Sequence, residues 1–339
     1  MTKTPMRVMV TGGAGYVGSH FVRTLQRAGH VPIVVDDLST GYRDAVPPDV
    51  AFRQGNIQNE DFIRNVIADH QVDAVAHFAA RIQVAESVRD PRLYYRENLR
   101  GTMALLEAML DSGVRTIVAT SSAAVYRGRT VWVQFEGVGG PSQGGVRGCS
   151  EDGDPPHPLN PYGETKLAAE RMLADYRLAY GLRYVALRCF NVAGAEPGLA
   201  ERHDPETHLI PLVLAAAERD GRFTVFGDDF PTPDGTAVRD YVHVMDVADA
   251  HLAALAHLRA EGESGVVNVG SGVGCSVRDV VDMCGHVTGK YIKTVYGARR
   301  EGDPPALVAD IQRAQDWLNW VPIRSSLQRI VVSAWESRR

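Results

Sequence analysis

Tyr162 and Lys166 are the residues of this sequence best suited to acid–base chemistry. They are four positions apart, and the segment 167–173 that follows them is rich in helix-forming residues. Side chains at this spacing share one helical face, about 5–6 Å apart at Cβ. An ammonium beside a phenol favours the phenolate and lowers the phenol pKa from about 10. The pair therefore predicts a base that works near neutral pH.

Ser122 is the predicted partner of this pair. It follows the apolar segment 116–120, which has the composition of a buried strand, so its hydroxyl should emerge at the carboxyl edge of a sheet. From there it can hydrogen-bond a substrate oxygen and relay the proton to Tyr162. Serines that simply end a strand are common, and the catalytic interpretation depends on the cofactor motif upstream.

A glycine-rich segment near the N-terminus predicts a dinucleotide site. The run 7–11 is typical of a buried strand, glycines follow at positions 12, 15 and 18, and a helix is expected to about Arg27. These glycines permit a tight turn, close approach to a pyrophosphate and close helix–strand packing, and the first helical amides face the phosphate charge. A second apolar strand, 30–35, ends in Asp36, whose carboxylate can accept from both ribose hydroxyls of NAD and would repel the 2′-phosphate of NADP.

Composition narrows the class of protein. The chain has 339 residues, of which 45% are hydrophobic and 23% are charged, values that are ordinary for a globular enzyme. Its net charge of −5 argues against a nucleic-acid or membrane-surface partner. No signal-like or 20-residue apolar run is present, so a cytoplasmic location is expected. Four cysteines without paired spacing predict free thiols, and no metal site is expected.

The alternation of elements predicts an α/β fold with a doubly wound, Rossmann-like parallel sheet. Strands are expected at 72–78, 115–121 and 183–188, with helices at 90–112 and 162–180. We assign residues 1–190 to an NAD-binding domain and 191–339 to a smaller, loop-rich α/β lobe. Residues 127–153 contain eight glycines and the patch Thr130–Phe135. A surface insertion is favoured there over a lid.

Further motifs extend across nearly the whole chain. They are Asp37–Gly41, His77–Ala80, Glu86-Ser87, Asn98 with Gly101-Thr102, Asn160–Gly163, Phe190-Asn191, Leu209–Pro211, Phe226-Gly227, Asp234–Thr236, Val238–Asp246, Asn268–Gly270 and 299–303. With these motifs the sequence resembles the extended short-chain dehydrogenase/reductases and, within them, the UDP-glucose (UDP-galactose) 4-epimerases.

The resemblance implies a reaction in which Tyr162 takes the proton of the sugar 4-hydroxyl with help from Ser122. The hydride of C4 passes to NAD and returns to the opposite face of a transient 4-keto sugar. Lys166 would hold the nicotinamide ribose and depress the Tyr162 pKa. The expected cofactor residues are Gly12, Gly15, Tyr16, Val17, Gly18, Asp36, Asp37, Asn56, Ile57, Phe78, Ala79, Ala80, Asn98, Ser121, Tyr162, Lys166 and Phe190. By the same resemblance the lobe 191–339 would bind the nucleotide sugar. The expected substrate residues are Ser122, Asn191, Leu209, Phe226, Arg239, Tyr241, Arg300, Asp303 and Leu307.

Four positions depart from the pattern of the resembled family. Ile82 stands where some epimerases have a lysine near the nicotinamide, and Asn56 stands where an acidic residue is common. Cys189 replaces a frequent tyrosine, and His208 replaces a frequent asparagine. None of these changes removes a catalytic group, so they affect the expected substrate more than the expected reaction class.

Several alternatives stay open at this point. Other UDP-sugar pairs, N-acetylated hexoses or pentoses, would use the same machinery, and Leu307 is expected against the C2 substituent of the sugar. A dehydratase or decarboxylase would need acidic residues after the serine, where this chain has Ala123 and Ala124. A regulatory NAD-sensing protein would commonly lack the tyrosine or the lysine. A homodimer built from the helices predicted at 90–112 and 162–180 would suit the resembled family.

Overall fold

The computed structural model describes residues 4–128, 148–219, 221–300 and 303–338. Most of the glycine-rich insertion, residues 129–147 with the Thr130–Phe135 patch, lies outside this part of the chain. In chain order, the elements up to residue 189 are β1 Arg7–Thr11, α1 Tyr16–Arg27, β2 Val31–Asp36, β3 Ala51–Gln54, α2 Glu60–His70, β4 Ala74–His77, α3 Val84–Arg89, α4 Pro91–Tyr94, α5 Gly101–Asp111, β5 Thr116–Ser122, α6 Pro161–Tyr180 and β6 Arg183–Cys189.

The remaining elements are helices and strands of two smaller sheets, with one further strand of the central sheet. They are β7 Asn191–Ala193, α7 Leu209–Glu218, β8 Arg222–Phe226, β9 Val238–His243, α8 Val244–Arg259, β10 Gly265–Val269, β11 Gly274–Ser276, α9 Val277–Thr288, β12 Lys293–Gly297, β13 Ala306–Leu307, α10 Gln312–Leu318 and α11 Leu327–Glu336.

The central sheet has seven parallel strands in the order β10-β6-β5-β4-β1-β2-β3. This confirms the predicted doubly wound parallel sheet. Its strand order reverses between β1 and β4, because β2 and β3 extend to one side and β4, β5 and β6 to the other. Ligands of such sheets bind at this reversal, beyond the carboxyl ends of the strands.

Alternate residues of the central strands supply two separate cores. On β1, Val8 and Val10 join Phe21 of α1 and Leu255 of α8 on one face of the sheet. Met9 points to the other face and joins the apolar side chains of α2, α5 and α6. Successive side chains of a strand point to opposite faces of the sheet, and here both faces are buried. This is expected for a parallel sheet that helices cover on both sides.

The predicted helix at 90–112 is interrupted. A π-helical segment, Tyr95–Arg100, separates α4 from α5. Segments of this kind insert an extra residue into a helical turn and are frequent at functional sites. The prediction of one regular α-helix was therefore wrong at residues 95–100, although the whole segment 91–111 is helical.

The second half of the chain builds two small sheets and then returns to the first. β9 pairs with β7, β11 and β13, while β8 pairs with β12. α7, α9 and α11 enclose a third core, whereas α8 packs on α1 and β10 pairs with β6 of the central sheet. The domain boundary at residue 190 stays a prediction. Residues 244–269 lie beyond it in sequence, but they form α8 and β10, which belong to the layers of the central sheet.

No helix among the described residues is long and apolar enough to cross a membrane. All four cysteines are buried.

The site is positioned by four strands and two helices. The strands are β1, β2, β4 and β5, whose carboxyl ends meet at one edge of the sheet, and the helices are α1 and α6, which begin near that edge.

Candidate active site

Tyr162 and Lys166 lie on the first turns of α6. Asn160 caps the helix by accepting from the Gly163 amide at 2.9 Å, and Pro161 occupies the first turn, where its missing amide hydrogen costs nothing. A Cβ at Gly163 would lie 2.3 Å from the carbonyl oxygen of Ala124. Glycine at this position therefore lets the start of α6 pack directly against the end of β5.

The electrostatics of the pair differ from the prediction. Burial raises the pKa of Tyr162 to about 12, and a hydrogen bond with Ser122 only partly opposes this. Burial also lowers the pKa of Lys166 to about 8. The lysine ammonium donates to the Thr120 carbonyl oxygen at 2.8 Å. Burial therefore dominates the pKa of Tyr162 in this structure, and the expected lowering by Lys166 stays a prediction.

Ser122 is the last residue of β5 and caps the short helical turn Ala123–Val125. Its hydroxyl oxygen accepts from the Ala124 amide at 3.1 Å. Because its hydroxyl also bonds Tyr162, the structure brings these two predicted catalytic residues together. Cys189, at the facing end of β6, is neutral at ordinary pH because burial raises the pKa of its thiol to about 12.

A buried ion pair, one helical turn beyond Lys166, joins α6 to the central sheet. Glu170, one helical turn beyond Lys166, accepts from Nε and Nη2 of Arg188 on β6 at 2.9 and 2.7 Å. Ser121 of β5 donates to the same carboxylate at 2.5 Å. The Arg188 Nη1 donates to the Tyr126 hydroxyl at 2.7 Å. Sequence inspection missed this network; its one signal was an acidic residue on the helical face of Tyr162 and Lys166.

A cavity of about 450 Å³ opens at the sheet edge where the strand order reverses. This volume is in the range typical of ligand pockets. Fourteen of the predicted cofactor residues line it, and they are Gly12, Gly15, Tyr16, Val17, Gly18, Asp36, Asp37, Asn56, Ile57, Phe78, Ala79, Ala80, Tyr162 and Lys166.

The three predicted glycines have different roles in this cavity. Gly12 has φ +72°, and a Cβ there would lie 2.5 Å from the Ala79 amide nitrogen. A Cβ on Gly18 would lie 2.2 Å from the Gly12 carbonyl oxygen, so these two glycines allow backbone segments to touch. Gly15 caps α1 without a side-chain hydrogen bond, and a Cβ there would approach only the Gly12 carbonyl, at 3.3 Å. The open helix start beside Gly15 suits a pyrophosphate.

Asp36 and Asp37 form the far wall of the cavity. The Asp36 carboxylate accepts from the Ala14 and Leu38 amides, both at 2.9 Å. Burial raises the pKa of Asp36, while these two amides oppose the rise. Asn56 donates to Asp37 at 3.0 Å. The turn, the open helix start and the buried acid all fit a dinucleotide whose ribose hydroxyls reach Asp36.

Three predicted cofactor residues lie outside the cavity lining. Asn98, in the π-helical segment, accepts from the Arg81 amide at 2.7 Å and donates to the Arg81 carbonyl at 3.0 Å and to Thr165 at 3.1 Å. It therefore ties the loop after β4 to α6. Ser121 donates to Glu170, and Phe190 packs in the cluster that includes Tyr126 and Leu307. Their contact with a cofactor stays a prediction.

The predicted substrate residues other than Ser122 gather in and beside the second lobe. On β9, Arg239 pairs in register with Leu307 of β13, and Tyr241 pairs in register with Asn191 of β7. Arg239 also forms an ion pair with Asp303. These four residues with Asp303 therefore form one surface around β9.

The other predicted substrate residues flank this surface. Leu209 is the first residue of α7. Phe226, at the end of β8, is 41% exposed, and the Arg300 guanidinium lies 4.5 Å from the centre of its ring. A base or a diphosphate would find an exposed aromatic face and two arginines in this lobe.

A loop that sequence inspection did not single out closes the cavity. Arg202, one of its lining residues, stacks on Tyr42 at 4.1 Å and pairs with Asp44 at 2.6 Å. His203 also lines the cavity. The segment 199–204 thus crosses the cofactor cavity and is anchored to the loop that follows β2.

Comparisons with known proteins agree with this geometry. The UDP-glucose 4-epimerase of Halalkalibacterium halodurans is 45% identical over 334 residues, covering 97% of this chain and 95% of that protein. The structure of the Brucella ovis UDP-glucose 4-epimerase in complex with NAD is 44% identical, with a TM-score of 0.88 and 97% of each chain covered. That of the Stenotrophomonas maltophila UDP-glucose-4-epimerase, with bound NAD and formylated UDP-arabinopyranose, is 35% identical, with a TM-score of 0.88 and 98% of each chain covered. Residues 8–270 match the family model for epimerases, and the chain belongs to the NAD dependent epimerase/dehydratase family.

Proposed function

We propose that this protein is an NAD-dependent UDP-sugar 4-epimerase that interconverts UDP-glucose and UDP-galactose. The observation that carries the proposal is the arrangement of Ser122, Tyr162 and Lys166. The last two line the inner wall of the cofactor cavity, and Ser122 bonds Tyr162 at the end of β5. The similarity to UDP-glucose 4-epimerases over nearly the full length of the chain supports the same conclusion.

Each of the three residues has a distinct task in this reaction. Tyr162 acts as the base in its phenolate form, which takes the proton of the sugar 4-hydroxyl, and Ser122 holds the substrate oxygen within reach. Lys166 contributes positive charge beside the phenol and a donor for the nicotinamide ribose. When bound, NAD supplies the hydride acceptor and donor, and because it is regenerated in each turnover it acts as a resident group. Asp36 favours NAD over NADP, because a 2′-phosphate would place negative charge against a buried carboxylate.

The residues after Ser122 support epimerisation over elimination. Ala123 and Ala124 follow it in the short helical turn and carry no proton-transfer group. A dehydratase or a decarboxylase of similar architecture would need an acid or base in this neighbourhood to remove water or carbon dioxide. A sensor that only binds NAD would not require a buried tyrosine and lysine at the cavity wall.

We assign UDP binding to the second lobe. Arg239 and Arg300 would meet the diphosphate, with Phe226, Tyr241, Asn191 and Leu209 around the nucleoside. Leu307 packs against the Phe190 cluster, beside the turn that follows Ser122. A leucine there leaves room for a C2 hydroxyl and offers only partial resistance to a larger substituent, so the N-acetyl pair should be a slow substrate.

We also propose a homodimer in the cytoplasm. The segment 91–111 exposes Tyr95 and Met103, which are 45% and 48% exposed, and α6 exposes Leu178 and Tyr180, which are 79% and 56% exposed. Burial of such apolar surface between two copies would stabilise a dimer.

The test is incubation of the purified protein with UDP-glucose, UDP-galactose and their N-acetyl and pentose counterparts, without added NAD. We expect interconversion of the glucose and galactose forms, and release of dinucleotide when the protein is denatured by heat. Tyr162→Phe serves as the inactive control. Stoichiometric consumption of added NAD would instead identify a dehydrogenase, and absence of any turnover with bound NAD would favour a sensor.

A further inference from the structure

Four potential metal ligands lie in the loop between β7 and α7. This loop includes the segment that crosses the cofactor cavity. Two carboxylates and two imidazoles alternate along it, and their ligand atoms lie within 4.8 Å of one another. The four residues, which we call the loop cluster, are Glu201, His203, Glu206 and His208.

The distances within the loop cluster are those of ligands around one small cation. Nδ1 of His203 lies 3.2 Å from Glu201 Oε1 and 3.8 Å from Glu206 Oε2. Nδ1 of His208 lies 3.0 Å from Glu201 Oε1 and 3.0 Å from Glu206 Oε1. Ligands held about 2.0–2.1 Å from a tetrahedral zinc ion are about 3.3–3.4 Å apart. The loop cluster is therefore close to the required geometry without any large movement.

Burial provides a second and independent argument. The Glu201 side chain is only 8% exposed. Its Oε1 and the Nδ1 of His203 are both buried, and neither is aligned for a hydrogen bond with any residue that the structure describes. Buried polar atoms without a hydrogen bond are costly. These two atoms lie 3.2 Å apart, and an ion bound between the side chains would complete both.

We propose that the loop cluster binds one divalent transition-metal ion, with Zn²⁺ as the best match. Two imidazole nitrogens exclude the hard cations Mg²⁺ and Ca²⁺, which prefer oxygen ligands alone. Mixed nitrogen and oxygen ligands in four-coordinate geometry suit Zn²⁺.

The competing arrangement is a cluster of ion pairs with both histidines protonated. Burial alone would lower the pKa of His208, but the carboxylates of Glu201 and Glu206 raise it to about 10. The pKa of His203 is also raised, for the same reason. Metal binding would displace these protons. The two arrangements thus differ in a measurable way, in proton release and in metal content.

The position of the loop cluster indicates what the ion does. His203 and Arg202 line the cofactor cavity, and Arg202 is anchored across it to Tyr42 and Asp44. The His203 ring also contacts the ring of Tyr16 edge-on, with 6.0 Å between centres. An ion in the loop cluster would hold this crossing segment closed over the cofactor. Its removal should speed loss of NAD without touching Tyr162 or Lys166.

The experiment measures metal content directly. The holoprotein, freed of metal by a chelator, is dialysed against limiting Zn²⁺, and bound zinc is counted per chain. We compare the parent with the double variant His203→Gln/His208→Gln and with His286→Gln, which changes an exposed histidine at the end of α9. We expect one zinc per chain in the parent and in His286→Gln, and at least a tenfold loss of affinity in the double variant.

Two further readouts do not depend on activity. Co²⁺ bound to the parent should give the intense visible absorption of a tetrahedral site. Chelation should also raise the rate of NAD release at least severalfold in the parent and leave it unchanged in the double variant. The proposal is overturned if the parent retains no zinc, or if the double variant binds zinc as tightly as the parent. Neither result bears on epimerase turnover, so this proposal and the proposed function fail independently.

Discussion

Removal of the Glu170 carboxylate should cost both stability and activity. Glu170 and Arg188 are 5% and 4% exposed at their side chains, so water cannot replace the ion pair. Their two hydrogen bonds, with the one from Ser121, join α6 to β5 and β6. Burial alone would lower the pKa of Arg188, but Glu170 raises it above its usual value. Because arginine is effectively always protonated in proteins, the guanidinium should stay charged in Glu170→Gln.

The expected loss follows from the burial of the pair. Removing one partner of a buried ion pair costs about 3–5 kcal/mol, because the other charge is left uncompensated. In a chain of this size that corresponds to a fall in Tm of about 4–7 °C. Turnover should fall as well, since α6 carries Lys166 four positions and Tyr162 eight positions before Glu170.

The assay is thermal unfolding of the NAD-bound protein together with kcat for UDP-galactose. Glu164→Gln is the matched control, because it changes an exposed glutamate on the same helix and should alter stability by less than about 0.5 kcal/mol. The double variant Glu170→Leu/Arg188→Met should regain much of the stability without regaining full turnover. If Glu170→Gln unfolds within 1–2 °C of the parent, the ion pair does not hold α6 in place and this reasoning is refuted.

The remaining predictions concern the base, the sugar pocket and the glycine turn. Tyr162→Phe should lower kcat by about 10²–10⁴-fold while UDP-sugar binding, measured by calorimetry, persists; near-parental turnover would rule out Tyr162 as the base. Leu307→Tyr should shift the ratio of kcat/KM for UDP-glucose over UDP-N-acetylglucosamine toward glucose by about 1–3 kcal/mol; an unchanged ratio would show that Leu307 does not face the sugar. Gly18→Ala should lower Tm severely because its Cβ would collide with the Gly12 carbonyl, whereas Gly15→Ala should fold and mainly lose NAD affinity; equal Tm losses would contradict these separate roles.

The site residues that the sequence predicts best are those whose relative positions are set by local spacing. The glycines at 12, 15 and 18, the acid at 36 and the pair at 162 and 166 are each set by a single turn or helix, so their relative positions follow from sequence. The order of strands and helices likewise predicts the parallel sheet. The parallel sheet is confirmed. Fourteen of the expected cofactor residues lie together at the cavity, and their roles stay predictions.

Features that depend on strand register or on desolvation could not be predicted from the spacing of residues in the sequence. Glu170 meets Arg188 only because β6 lies beside β5 in one register. The π-helical segment around Asn98 changes one hydrogen-bond pattern without a compositional signal. The pKa of Tyr162 was predicted from charge alone, whereas burial decides it. The loop cluster has spacings of two and three residues, which do not distinguish a metal site from a polar loop until the chain folds.

In the proposed reaction the hydride of sugar C4 leaves and returns within one active site. The most direct test uses UDP-glucose that carries deuterium at C4, in ordinary water and without added cofactor. We expect the UDP-galactose formed to retain the deuterium at C4, because Tyr162 exchanges only the hydroxyl proton and bound NAD keeps the hydride. Loss of the deuterium to solvent would contradict the account, since it would require C4 to exchange as a proton.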